Sequence, residues 1–343
     1  VYSATGSAHA IACGRVSFVL GMQGPCASYD TACSAGLVAT HAASSALVLD
    51  ECASGLAAGV NLVLLPAACV GCAVAGMTSA LGRCHTFDGR ADGYARSEAC
   101  CSLVLRQLET SDIAPRDCVA LRGSAVRHDG RSASLTAPSG QAQQALRLAA
   151  RARAGVVAHE SAYAEAHGTG TALGDPIEAG SYAAVARGGT SDALGSVKAN
   201  AGHSEPAAGI TGLLKLALHL EHSRSAPNAQ LRVLNERVGA ALGEVDSVLH
   251  VQRAQFNANS ASGDVSSFGY GGAIAHAVLA AGSGGGGGIG ANESAHLTAL
   301  RSDGADPAGK GLLASRSQLT VGTCVLKHPQ SPLLAYHRRA FAW

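Results

Sequence analysis

Asp30-Thr31-Ala32-Cys33-Ser34-Ala35-Gly36-Leu37 is the stretch on which the reading of this chain turns. It sets a cysteine between a predicted strand and an Ala-rich helix running through Ala46. Unsatisfied N–H groups and the positive dipole end at a helix N-terminus stabilise a thiolate, so Cys33 is expected to have a lowered pKa and to serve as a nucleophile. The competing reading is a small buried cysteine, the common role of this residue type. The segment alone leaves both open.

Two later segments share its form. Glu165-Ala166-His167-Gly168-Thr169-Gly170-Thr171-Ala172-Leu173-Gly174-Asp175-Pro176 puts a histidine at the end of a predicted strand, followed by a glycine-rich loop. Loops in such positions commonly bear function. This one lacks the Lys-Ser/Thr ending of a P-loop and the dinucleotide glycine spacing, so nucleotide binding is a weak alternative. Lys198-Ala199-Asn200-Ala201-Gly202-His203-Ser204-Glu205 adds a cation and a second imidazole at another strand end. Each histidine alone reads more readily as a structural hydrogen-bonder. Together with Cys33 they can converge at the carboxyl edge of an α/β sheet, where such folds place their sites.

Local chemistry predicts the supporting elements. Asp175 as N-cap, Pro176 at the first helical position and Glu178 shortly after mark one helix start. Ser204 is expected to cap a second helix, with Ile210, Leu213, Leu214, Ala217 and Leu218 on its buried face. A third runs from Gln141 to Arg153 and stops at Gly155. Strands are expected at Val119 to Val126, Ala162 to Glu165 and Leu194 to Lys198. Short β-rich runs alternating with helices indicate an α/β fold around a mostly parallel sheet.

The 343 residues include 47% hydrophobic positions, enough for a well-filled core. Lys and Arg number 25 against 24 Asp and Glu, so no broad field favours nucleic acid or an anionic membrane. Only 4% of residues are aromatic while 43 are glycine, which argues against base stacking and for close backbone packing. The 11 cysteines read as free intracellular thiols, with no secretory signal at Val1. The uncharged run from Cys52 to Gly82 is interrupted by Asn61, Pro66, Gly71 and Gly76, so a membrane span is not expected. Within it, Val60 to Leu65 reads as a buried parallel strand. From Gly282 a Gly-rich linker leads into a tail expected to be poorly ordered on its own.

The three chemistry-bearing segments resemble, in order, the active-site motifs of β-ketoacyl synthases, specifically the ketosynthase domains of polyketide synthases. Further matches extend the resemblance across residues 5–280: TGSAHAIACGRVSFVLGMQGP, CHTFDGRADGYARSE (84–98), LTAPSGQAQ (135–143) and SSFGYGGAIAHAVL (266–279). The resemblance implies a thiolase-like layered αβαβα fold of two similar halves. Its opening strands, expected before Val1, are missing, which suggests an incomplete sequence. Residues 1–112 would be the remainder of the N-terminal half, 113–282 the C-terminal half, and 283–343 linker and tail.

The resemblance also implies decarboxylative condensation of a Cys33-bound acyl group with a malonyl-type extender, in polyketide or fatty acid synthesis. His167 and His203 would donate from Nε2 to the enolate, and Lys198 would tune them. The backbone N–H groups of Cys33 and Phe268 would form the oxyanion hole, while Thr169 and Thr171 would hold the pantetheine arm. No bound cofactor or metal is implied, and the pair Cys69 and Cys72 lacks a second ligand pair for zinc. Substrates would ride on the phosphopantetheine of an acyl carrier protein. A homodimer, possibly within a larger multidomain synthase, is implied, in a cytoplasmic or organellar (plastid-type) compartment.

Two departures from the family pattern bear on substrate positioning rather than on catalytic groups, Val126-Arg127-His128-Asp129-Gly130 and Gly271-Gly272-Ala273-Ile274-Ala275-His276, and a further one, Ala99-Cys100-Cys101 after Glu98, bears on local packing. The alternatives are a non-catalytic partner protein of the same fold or an inert fragment, against which retention of Cys33 argues, and a cysteine hydrolase, in which Lys198 and His203 have no obvious role.

Overall fold

The computed structural model describes residues 5–6, 8–108, 119–156, 161–186, 192–245, 247–255, 262–281 and 318–322. Helix α1 (His9–Leu20) is followed by a 3-10 turn (Ala32–Ser34), α2 (Ala35–Val48), β1 (Ser54–Asn61), α3 (Pro66–Val74) and β2 (Ala99–Leu108). Next come β3 (Val119–His128), α4 (Gly140–Ala154), β4 (Ser161–Glu165), α5 (Gly174–Ala186), β5 (Asp192–Gly195), the short α6 (Lys198–Ala201) and α7 (Ala208–His222). The chain continues through β6 (Arg224–Ser225), α8 (Glu236–Leu242), β7 (Ser247–Val248), β8 (Ala254–Gln255), β9 (Ser262–Phe268), β10 (Ala273–Ala281) and β11 (Gln318–Gly322).

Nine strands form one sheet in the order β1-β2-β11-β3-β10-β9-β4-β5-β7, and β6 pairs with β8 apart from it. The sheet is mixed rather than mostly parallel. Among the described strands of the sheet, the stretch β9-β4-β5-β7 is parallel and the other pairs are antiparallel. The link from β9 to β10 is too short for a crossover, so that pair closes as an antiparallel hairpin with Ile274 opposite Phe268.

Helices α2 and α7 pack on each other and on strands from both arms of the sheet, while α4 covers β3 and β10 from the other face. This layering buries Leu37 and Leu47 of α2 with Ile210, Leu213 and Leu216 of α7, Leu105 of β2 and Leu279 of β10. The two inner helices approach closely because glycines face the contact. A Cβ on Gly36 would stand 2.8 Å from the Pro206 carbonyl, and one on Gly209 would stand 2.7 Å from Leu37 Cγ.

Several expectations are corrected. Among the described residues no strand precedes Cys33, and residues 25–31 have no regular structure. The strand expected at Val60 to Leu65 lies earlier, at Ser54–Asn61, and pairs antiparallel with β2. Leu62, Leu64 and Leu65 are exposed, and Pro66 starts α3 as its first helical residue. The strand expected to reach Lys198 ends at Gly195, and Lys198 begins α6. On α7, Leu216 and Leu220 join the buried face while Leu218 is exposed, because that face follows Ile210 and Leu213 at helical spacing. The helix expected from Gln141 to Arg153 spans Gly140–Ala154, with Gly155 left-handed at its end. Of the tail, Gln318–Gly322 forms a strand between β2 and β3. The rest of the tail and the Gly-rich linker lie outside the described residues. Among the described residues no helix is long and apolar enough to cross a membrane.

Candidate active site

The turn that delivers Cys33 is tightly built. Ala32 holds a positive φ of 53°, an unfavourable conformation for a residue with a side chain, and Cys33 follows directly. Ser34 Oγ donates to the Thr31 carbonyl at 2.9 Å, and Ser267 Oγ of β9 donates to the Cys33 carbonyl at 2.7 Å. The loop after β9 packs so closely beneath this turn that a side chain at Gly269 would collide with the Thr31 carbonyl. These contacts fix the thiol, which is 7% exposed.

His203 meets it. Nε2 lies 3.1 Å from Cys33 Sγ, and Nδ1 accepts the Glu205 N–H at 3.3 Å. Since Nδ1 accepts, the ring proton of the neutral imidazole sits on Nε2, facing the sulfur. The residue's backbone is clamped by the 84–98 segment, donating to the Ala95 carbonyl at 2.7 Å and accepting the Ser97 N–H at 2.9 Å. His167 follows the same rule, with Nδ1 accepting the Phe268 N–H at 3.2 Å and Nε2 left to carry the proton. The two imidazoles stand edge to face, 5.5 Å between ring centres. Burial first, then the charge of Lys198, holds both well below the usual histidine range, so both are neutral at pH 7.

The loop after His167 is bracketed by two carboxylates of α5. Glu178 accepts the N–H of His167 at 2.7 Å and of Gly168 at 2.8 Å. Asp175 accepts the N–H of Gly170 at 3.0 Å, of Thr171 at 3.3 Å and, from the distant 84–98 segment, of Phe87 at 2.8 Å. Asp175 is therefore not the helix N-cap, and Glu178 does not close a capping box: both side chains turn to the loop. Burial raises both carboxyls, Asp175 to about 7, against the pull of these amides and, for Glu178, of Arg147. Thr169 and Thr171 stand side by side with hydroxyls 3.3 Å apart.

Lys198 is 2% exposed, and burial lowers its pKa against the opposing charges of Glu165 and Glu178. Its turn is tied to the His167 strand, since Glu165 accepts the Val197 N–H at 2.5 Å and pairs with Lys215 at 2.8 Å. A polar cleft of about 350 Å³, lined in part by Arg83, Cys84, Arg96 and Gln230, reaches Lys198 from outside.

Cys33, His167, His203, Lys198 and Phe268 thus belong to one site. Two expectations change. The Phe268 amide is engaged by His167 Nδ1 rather than open to an oxyanion. The Cys33 thiol is not lowered: burial pushes it up to about 12, and Lys198 opposes this only in part. Alkylation of Cys33 by iodoacetamide should accordingly speed about tenfold per pH unit from about pH 7 to about pH 10. Peptide mass spectrometry checks this, and a plateau within that range would contradict it.

Sequence reasoning missed Asp175, Glu178, Ser267 and Tyr94 as builders of the site. Tyr94 places its ring edge-on to His203 at 4.9 Å. The segment containing it was recognisable as a motif, but its role required the fold.

A cysteine on a helix-opening turn, with the neutral His203 imidazole on its sulfur and His167 edge to face with that ring, sits in a thiolase-like fold. The chain belongs to the β-ketoacyl synthase family: the family's N-terminal domain matches residues 1–111 and its C-terminal domain residues 118–232. It is 43% identical over 290 residues to a phenolphthiocerol/phthiocerol polyketide synthase of Mycobacterium tuberculosis, covering 82% of this chain and 18% of that protein. With the highly reducing polyketide synthase srdA of Neurospora crassa the identity is 38%, over 82% of this chain and 12% of that one. The ketosynthase from module 6 of the bacillaene synthase of Bacillus subtilis superposes with a TM-score of 0.75 at 34% identity, over 80% of this chain and 50% of that structure. The chain therefore spans less than a fifth of these curated relatives.

Proposed function

We propose that this chain carries the condensing centre of a polyketide synthase, in which residues 1–112 and 113–282 are the two ketosynthase halves. Cys33 attacks an acyl thioester carried on phosphopantetheine. The acyl–sulfur bond to the carrier breaks, the acyl–Cys33 bond forms, and the thiol proton leaves with the carrier thiolate. A malonyl-type extender then loses CO₂, and its enolate oxygen is held by the Nε2–H groups of His167 and His203. The enolate carbon attacks the acyl carbonyl and displaces Cys33 thiolate, which takes a proton to restore the thiol.

The observation that carries this reading is the matched tautomer of the two rings: each Nδ1 is occupied by a backbone N–H, Glu205 for His203 and Phe268 for His167. An enolate needs donors beside a developing oxyanion rather than a base near carbon, and this arrangement supplies two. The Cys33 N–H serves the tetrahedral oxyanion, while the Phe268 N–H holds His167 in its tautomer. Lys198 favours the anionic states through its charge, and Thr169 and Thr171 receive the pantetheine arm. The partner is an acyl carrier protein, and the working unit is a homodimer within a larger synthase.

The test uses a protein containing this chain, a radiolabelled acyl thioester, and then malonyl carrier protein. Label should appear on the Cys33 peptide and move to a β-ketoacyl thioester when extender is added. A Cys33 peptide that acquires no label would end the proposal.

A further inference from the structure

The sequence pair Cys69 and Cys72 has no part in the chemistry above. Both thiols are free and half-buried on α3, a helix of 9 residues with none of them buried. At i and i+3 they share one helix face, with Cβ atoms about 5–6 Å apart. A disulfide requires about 3.5–4.5 Å, so one turn of α3 must tighten by about 1–2 Å. A short helix that contributes nothing to the core yields easily to that demand.

Cys69 connects to His203 through a chain of hydrogen bonds. Arg96 donates from Nη1 to Cys69 Sγ at 3.1 Å, while its Nε and Nη2 grip the Glu205 carboxylate at 2.5 and 2.9 Å. Glu205 is the residue whose N–H fixes His203 Nδ1. Cys72 lies one turn further along α3, half-buried like Cys69. A contact path therefore runs from the Cys69 sulfur through Arg96 and Glu205 to the imidazole on Cys33.

We propose that Cys69 and Cys72 form a reversible dithiol–disulfide site for peroxide-class oxidants, and that its state reaches Cys33 through Arg96, Glu205 and His203. One thiolate attacks a peroxide oxygen, the O–O bond breaks, and a sulfenic acid and water form. The second thiol attacks the sulfenic sulfur and releases another water. Two thiols lose two electrons and two protons, and one hydrogen peroxide becomes two waters. Joining the sulfurs draws Cys69 from Arg96, which loosens the hold on Glu205 and thereby on His203.

The experiment treats the purified protein with hydrogen peroxide, blocks remaining thiols, and maps peptides without reduction. It then measures the iodoacetamide rate at Cys33 before treatment, after it, and after dithiothreitol. The peptide with Cys69 and Cys72 should lose two hydrogens. The Cys33 rate should fall about fivefold, the scale of one lost hydrogen bond, and recover on reduction. Cys69→Ser/Cys72→Ser should keep its rate throughout, and single Cys72→Ser serves if the double variant fails to fold. Thiols at 69 and 72 that stay open to alkylation would overturn the site. A disulfide without change at Cys33, or an equal loss in the serine variants, would overturn the coupling. Neither readout needs condensation, so this inference and the proposed function fail separately.

Discussion

Replacing His203 with alanine is expected to slow decarboxylation of a malonyl thioester by about 10²–10³-fold, the usual loss when one oxyanion donor is removed. The backbone of His203 makes the contacts that hold its loop, to Ala95 and Ser97, and alanine keeps them. The loss should therefore fall on rate rather than on folding. Glutamine at 203 places an amide N–H near the position of Nε2 and should recover part of the rate. Single-turnover assays with circular dichroism on the same samples check this: an alanine variant within tenfold of the parent would remove His203 from the chemistry.

The second large effect lies behind the site. Asp264 on β9 is buried between Arg151, at 2.7 Å, and Arg147, at 3.4 Å, and Arg147 in turn reaches Glu178 at 3.5 Å. Asp264→Ala leaves two guanidinium groups buried without their shared carboxylate and should cost about 3–5 kcal/mol. At about 2–4 °C per kcal/mol for a chain of this class, Tm should fall by roughly 6–20 °C. Burial alone would raise the Asp264 pKa, but Arg151, His276 and Arg147 outweigh it and hold the group at about 2. A lowered native pKa contributes stability above the unfolded value and loses it as pH falls. The stability gap between parent and variant should hold near neutrality and narrow from about pH 4 to about pH 2. Urea melts across that range check the sign, and a gap that widens on acidification would contradict it.

The residues gathered around Cys33 were legible in the sequence because each lies in a short glycine-bearing segment, a local pattern, although Cys33 follows no strand among the described residues. Cys33, His167, Lys198 and His203 could be found that way, as could the glycine-ended helix that became α4. Asp175 and Glu178 could not be read correctly. Asp-Pro with a nearby Glu is a helix-start signature, and the Phe87 N–H that claims Asp175 comes from 88 positions earlier. Sheet direction failed for a similar reason: short β-rich runs separated by helices resemble parallel units, yet the β9–β10 hairpin and the β1–β2 pair run antiparallel. The thiol was misjudged because a helix start argues for an anion, whereas depth below the surface, invisible locally, decides the balance.

Because Asp175 and Glu178 anchor the inner side of the His167 loop through backbone amides, its outer edge is free of that duty. Ala172 and Leu173 are exposed there. Evolution can rewrite those two positions while the imidazole stays at its post.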